Sequence, residues 1–155
     1  MLTVGSSAPT VSVLNEQGEQ VTLQDYAGSY VVLYVYPKDN TSGCTAEACS
    51  FRDQSKAITD AGAVILGLSK DSVASHLKFK ETYELNFTLL SDVDHQLLEA
   101  LGAWGEKVNY GKRSVGTIRS TFLFDPQGIL IQVWPKVSPK THGEEIAAYL
   151  QELQK

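Results

Sequence analysis

Cysteine and methionine are scarce in this chain: two cysteines and one methionine among 155 residues, with five prolines. Two cysteines cannot build the dense disulfide framework of a small secreted domain. Long apolar runs are missing as well. The longest, residues 30–36 and 61–68, fall far below the ~20 residues that span a bilayer, so no membrane partner is expected. Positive charge is also in deficit, with 18 acidic against 13 basic side chains and a net charge of −5. Nothing offsets phosphate repulsion globally, so nucleic acid is not an expected partner. The opening MLTVGSSAPT lacks a basic segment followed by an apolar core, so no leader peptide is read and a cytoplasmic location is expected. Phosphate loops, dinucleotide fingerprints and a Ser–His–Asp signature are absent. The three histidines, His76, His95 and His142, stand in unrelated segments without the paired spacing of a zinc site. They read as ordinary surface residues, and neither a metal nor a cofactor is expected.

What is present suits one globular domain over residues 1–155, with 43% hydrophobic and 20% charged residues. Residues 11–14 and 20–23 flank Asn15-Glu16-Gln17-Gly18 and predict an N-terminal β-hairpin. Residues 30–36, YVVLYVY, lack polar alternation and predict a strand buried on both faces. Pro37 ends it, residues 38–43 form a loop, and a helix is predicted over 43–61. A second buried strand follows at 63–68, then a helix over 71–84 with Asp71 as its N-cap. A strand at 87–90 and a helix at 93–102 come next. Residues 103–117, with glycines at 105, 111 and 116, show no clear period and read as a long loop. Strands at 118–124 and 129–134 are joined by Asp125-Pro126-Gln127-Gly128, which suits a type I turn. The last helix, 141–153, carries Ile146, Ala147, Leu150 and Leu153 on one face. Strands alternating with helices predict an α/β fold with parallel pairing and helices on both faces. The closing antiparallel strands make the central sheet mixed.

The chemistry concentrates where the first buried strand runs out. Cys44 falls in the first turn of the following helix, at the carboxyl edge of the sheet, where ligands bind in such folds. Unpaired N–H groups and the positive dipole end there stabilise an anion. A free thiol is only about 3% ionised at pH 7, and reaching roughly 90% takes about 3.4 kcal/mol of differential stabilisation. A helix end supplies ~1–2 kcal/mol, so a second positive group is required. Arg119 is the candidate. Cys49 lies five residues on, about 7.5 Å of rise and about 140° of rotation away, or roughly 8.7 Å between Cα atoms. A disulfide tolerates about 7 Å at most. Either the two never pair, or pairing melts the first helical turns.

Pro37, Thr41 and Cys44 match the pattern P-x-x-x-T-x-x-C, by which the chain resembles the peroxiredoxins. The C-x4-C spacing, the Phe51-Arg52-Asp53 continuation and the Arg119-Ser120-Thr121-Phe122 strand make it similar to the bacterioferritin-comigratory or Q-type subgroup, from Ser7-Ala8-Pro9 to the final helix. The resemblance implies a thioredoxin-like fold and a thiol peroxidase acting on hydrogen peroxide and organic hydroperoxides. It implies that Cys44 is the peroxidatic cysteine, oxidised to a sulfenic acid. Thr41 would hydrogen-bond thiolate and peroxide, Pro37 would close the pocket, and Arg119 would stabilise the thiolate and orient the peroxide. Cys49 would resolve the sulfenic acid as an intramolecular disulfide, and thioredoxin or a similar dithiol would reduce it. A monomer is implied, because the resolving thiol is internal.

Blander readings stand beside these. A lone cysteine is commonly a small buried hydrophobe. Thr41 could be a cap, Pro37 a strand terminator and Arg119 a surface ion-pair partner. Glu47 and Arg52 could join an arginine network or form a solvated face, and Trp134 reads as core or pocket wall. Two other functions fit a cysteine pair: a dithiol–disulfide oxidoreductase, which normally uses C-x-x-C, and a peroxide-sensing redox relay.

Overall fold

The computed structural model describes residues 1–109 and 111–154. The chain runs β1 (Val13–Asn15), β2 (Gln20–Val21), β3 (Tyr30–Val35), α1 (Ser42–Asp60), β4 (Ala63–Ser69), α2 (Val73–Thr82) and β5 (Thr88–Ser91). It continues through α3 (Gln96–Ala100), β6 (Trp104–Asn109), β7 (Lys112–Thr117), β8 (Ser120–Phe124), β9 (Leu130–Trp134) and α4 (His142–Leu153). Seven strands form one sheet in the order β2-β1-β5-β4-β3-β8-β9. The β3–β4 and β4–β5 pairs are parallel, and the remaining neighbours are antiparallel. The expected mixed sheet with its N-terminal hairpin is therefore present.

The aliphatic and aromatic run of β3 explains its central place, because both of its faces are covered. Val32, Tyr34 and Tyr36 pack with Phe51 and Ile58 of α1, Phe79 of α2 and Ile146 and Leu150 of α4. Val31, Leu33 and Val35 point the other way, toward Leu97 and Leu98 of α3, Phe122, Phe124 and Leu130. Each such fully buried side chain contributes about 1.5–3 kcal/mol over leaving it exposed. Three helices thus cover one face and the short α3 helps cover the other. Among the described residues, no helix is long and apolar enough to cross a membrane.

Four local expectations need correction. Residues 103–117 do not form a long loop: β6 and β7 pair antiparallel, with Trp104 opposite Thr117 and Val108 opposite Arg113. The hairpin stands apart from the main sheet with much of its surface in solvent, so no buried face imposes an apolar period. Tyr110 lies outside the described residues. The N-cap of α2 is Ser72, whose Oγ accepts the Ser75 N–H at 3.2 Å. The Asp71 carboxylate is occupied instead by the Asp39 N–H at 2.9 Å and the Ser69 hydroxyl at 2.6 Å. The helix expected over 93–102 shrinks to α3, because the Asp92 carboxylate bonds the Leu98 N–H and holds residues 92–95 as a turn. Finally, His76 and His142 are fully buried, and His95 stacks on Trp104 with ring centroids 4.0 Å apart. The ring nitrogens of His76 and His142 find hydrogen-bond partners, which offsets the cost of burying them.

Helix α4 crosses α1 at one close approach. The Gly143 N–H donates to Ser50 Oγ at 2.8 Å, and a Cβ on Gly143 would lie 2.4 Å from the Ser50 carbonyl oxygen. Gly143→Ala is expected to push the helices apart and cost about 1–3 kcal/mol, the usual range for overpacking. Urea unfolding checks this, and undiminished stability would contradict the packing described.

Candidate active site

Pro37 cannot donate to the ladder, so β3 ends and the chain turns across the carboxyl edge of the sheet. Thr41 is the N-cap residue of α1, with extended backbone at φ −85° and ψ 158°. Its carbonyl accepts the Thr45 N–H at 2.8 Å. Its hydroxyl makes no capping bond and donates to the Lys38 carbonyl at 2.9 Å. The hydroxyl proton is thereby committed, and the oxygen lone pairs remain to accept. Among the described residues, no hydrogen bond joins Thr41 to Cys44.

Cys44 is the third residue of α1 and only 1% exposed. The Arg119 Nη2 group donates to its Sγ at 3.1 Å. The register explains how a residue 75 positions away arrives there. β3 and β8 pair antiparallel with Val35 opposite Ser120, so Arg119 leaves β8 beside the start of the loop. Gly43 clears the path: a Cβ there would stand 3.4 Å from Nη2.

The same guanidinium bonds Glu47 through Nη1. Cys44 and Glu47 are three residues apart on one helix face, and Ala48 and Phe51 continue that buried stripe. Burial pushes the Glu47 carboxyl up from 4.5 to about 7, against the opposing pull of Arg119. Burial works against the Arg119 charge, but Glu47 and Cys44 outweigh it and the guanidinium is held above its ordinary value. Among the described residues, Glu47 Oε2 has no hydrogen-bond partner, nor has the buried Tyr34 hydroxyl. Glu47 therefore joins the arginine network that the sequence left open, and its i+3 spacing from Cys44 was the available signal. Arg52 does not join it, since it bonds Asp53 and the Tyr83 carbonyl.

Cys49 is partly exposed and lies on the same unbroken helix, and both thiols are free. The intact helix keeps the two apart, as the spacing requires. The next residue, Ser50, is the one gripped by Gly143. Trp134 stands beside His142 and Tyr149 in edge-on ring contacts, as a wall and not a chemical group. An open groove between the first turn of α1 and residues 137–141 is lined by Ser42, Gly43, Ala46, Val137 and Pro139. Of the five residues singled out from sequence, the structure joins Cys44 and Arg119 directly. It places Thr41 and Pro37 in the adjoining loop and Cys49 about 1.4 turns along the helix from Cys44.

Known proteins resemble this chain along nearly its whole length. Residues 4–133 match the family described as AhpC/TSA. The chain is 47% identical to Peroxiredoxin Bcp of Bacillus subtilis over 150 residues, covering 97% of this chain and 96% of that one. It is 41% identical to Peroxiredoxin Bcp of Escherichia coli over 151 residues, covering 97% of both. Among solved structures, the Xanthomonas campestris bacterioferritin comigratory protein, studied for alkyl peroxide reduction, superposes with a TM-score of 0.90 at 38% identity, over 99% of this chain and 98% of that one. A cysteine-to-serine variant of Xylella fastidiosa PrxQ gives 0.92 at 31% identity, over 100% and 99%. The family match over residues 4–133, together with these relatives along almost the whole chain, places the chain in the AhpC/TSA family, among the peroxiredoxins of bacterioferritin-comigratory or Q type.

Proposed function

We propose that Cys44 is the thiol through which this peroxidase reduces peroxides, with Arg119 as its electrostatic partner. The observation that carries this reading is the 3.1 Å bond from Arg119 Nη2 to Sγ in the first turn of a helix. Membership of the family makes the chain a thiol peroxidase using peroxides and a thiol reductant. In the first step the Cys44 thiolate attacks one peroxide oxygen, the O–O bond breaks, and the second oxygen leaves as water or an alcohol after protonation. Sulfur is oxidised by two electrons to the sulfenic acid. Negative charge moves from sulfur toward the departing oxygen, and the fixed guanidinium stabilises it without reorganising. Glu47 holds that guanidinium in place. Thr41, its hydroxyl donating to the Lys38 carbonyl, accepts from the peroxide O–H, and Pro37 limits water at the mouth of the site.

Cys49 serves as the resolving thiol in this proposal. It attacks the sulfenic sulfur, water leaves, and the resulting disulfide is reduced by thioredoxin or a similar dithiol through exchange. The first turns of α1 must unwind for the bond to close, since the helix separates the two Cα atoms by roughly 8.7 Å. The chemistry needs no second chain, which supports a monomer acting alone.

Peroxide consumption coupled to thioredoxin and its reductase tests the assignment. Cys44→Ser is expected to fall to background, and retained turnover would defeat the reading. Cys49→Ser is expected to consume one equivalent of peroxide and then stall, at least tenfold below the parent. Mass spectrometry of peroxide-treated parent should show a Cys44–Cys49 link. Turnover favours a peroxidase; stoichiometric oxidation would favour a sensing relay, and insulin reduction without peroxide a dithiol oxidoreductase.

Arg119→Ala is expected to slow the first oxidation of Cys44 about 100-fold or more, as when one preorganised charge donor is lost. A stopped-flow rate equal to the parent's would remove Arg119 from the chemistry.

Glu47 supplies a pH test of the pair. Its folded carboxyl, at about 7 against 4.5 for the ordinary group, holds its proton more tightly in the folded state. Folding therefore loses stability from this residue as pH rises from about 4.5 to about 7. The stability of the parent relative to Glu47→Gln should fall across that window in urea titrations. A difference that grows with pH would mean that pairing with Arg119 outweighs burial.

A further inference from the structure

The loop between β3 and α1 is also held by α2. Asp39, in that loop, is only 6% exposed. Its Oδ1 accepts the Tyr36 hydroxyl at 2.6 Å, and its Oδ2 accepts the Ser75 hydroxyl at 2.8 Å. The same Oδ2 lies 2.7 Å from Nδ1 of His76, which is fully buried on α2. Asn40 follows with φ at +63°, and its side chain accepts the Tyr83 hydroxyl at 3.0 Å. Ser75 and His76 of α2, with Tyr83 at its C-cap, thus grip the two residues that precede Thr41. A left-handed backbone is costly for a residue other than glycine, though least so for Asn, and persists where its surroundings over-determine it.

The acceptors fix where the hydrogens lie. His76 Nε2 is 2.9 Å from the Leu90 carbonyl oxygen, which can only accept, so Nε2 carries hydrogen. Nδ1 then faces a carboxylate oxygen at 2.7 Å. Two bare lone pairs at that distance repel strongly in a dry interior, so a proton lies between them. Tyr36 does not supply it, because its hydroxyl is 3.5 Å from Nδ1 and committed to Oδ1. The titratable groups facing the ring are Asp39 and Tyr36 from the β3 side and Asp71 from the segment after β4, while β5 presents the Leu90 carbonyl. Asp39, Asp71 and His76 have atoms within 4.8 Å of one another, but the oxygens and nitrogens at the centre are already engaged in hydrogen bonds.

We infer that the His76–Asp39 pair is a hydrogen-bonded clamp that positions the 37–41 loop, and through it the first turn of α1, for peroxide reduction at Cys44. His76 is a positioning residue acting through Asp39. The inference rests on the reading of Cys44 as the reacting thiol. Without the clamp the left-handed turn at Asn40 relaxes, Thr41 shifts as N-cap, and Sγ drifts from Arg119.

Two measurements test this. Nitrogen-15 NMR of the reduced protein should show His76 with hydrogen on Nε2 and a strongly deshielded proton at Nδ1, with His95 as the internal reference. In a Cys49→Ser background, where Cys44 alone reacts, His76→Gln should slow the first oxidation by hydrogen peroxide at least tenfold. Alkylation of Cys44 by iodoacetamide should stay constant or quicken as the helix tip frays. Asp39→Asn should do the same, and the double variant should lose no more than either alone, as expected of one unit. Lys80→Met breaks a different α2 anchor, the Lys80–Glu16 pair, and should lower the melting temperature while leaving the oxidation rate within twofold. Should His76→Gln fail to fold, Ser75→Ala removes one bond of the clamp and should slow oxidation about threefold. The clamp is overturned if the folded variant oxidises at the parent rate, if Lys80→Met slows it equally, or if His76 shows no proton at Nδ1. A parent protein whose Cys44 is not oxidised by peroxide would instead sink the reading of the site.

Discussion

A guanidinium held against a buried sulfur is unfavourable to assemble and effective once assembled. Arg119 gives up water to reach Cys44, and Glu47 gives up more, so each charge depends on the other for compensation. What results is a positive group fixed at 3.1 Å from Sγ in a site that admits little solvent. In such surroundings a charge acts more strongly than it would in water. The rest of the architecture serves that contact. The β3–β8 register delivers Arg119, Gly43 leaves room for it, and the buried stripe of α1 holds Glu47 behind it.

The site also has to satisfy two opposed demands. The proposed attack of Cys44 on peroxide needs a rigid tip, with Thr41, Cys44 and Arg119 fixed relative to one another. Closure of the proposed disulfide needs the same turn to open. The packing of α1 divides at the boundary between these tasks. From Ser50 onward the helix is fastened to α4 through Gly143 and to the sheet through Phe51 and Ile58. Before that point its apolar anchors among the described residues are only Cys44 and Ala48, beside the Arg119 bonds and the loop that α2 grips. A segment with few apolar anchors opens at lower free energy than one embedded in the core, so unwinding confined to the first turns leaves the fold intact.

Much of this was written locally. The apolar runs at 30–36 and 63–68 announced the central strands, and the Asp125-Pro126-Gln127-Gly128 turn announced the closing hairpin, where the Gly128 N–H does return to the Asp125 carbonyl. The β6–β7 hairpin was illegible because most of its side chains lie in solvent and no core imposes a period on them. The buried histidines misled for the opposite reason. A histidine looks the same in sequence whether its nitrogens meet water or, as for His76, a carboxylate and a carbonyl from distant segments.

The sequence by itself determined that a cysteine begins a helix at the end of a buried strand, and that a second stands five residues on, too far to bond across intact turns. Both follow from chain periodicity, which neighbouring residues fully encode. Tertiary structure decided that Arg119, the cation the sequence offered, does meet that sulfur, and it alone decided that Glu47 stands behind it and that α2 holds the loop. Those pairings join residues tens of positions apart, and only the order and register of the strands bring them within bonding distance.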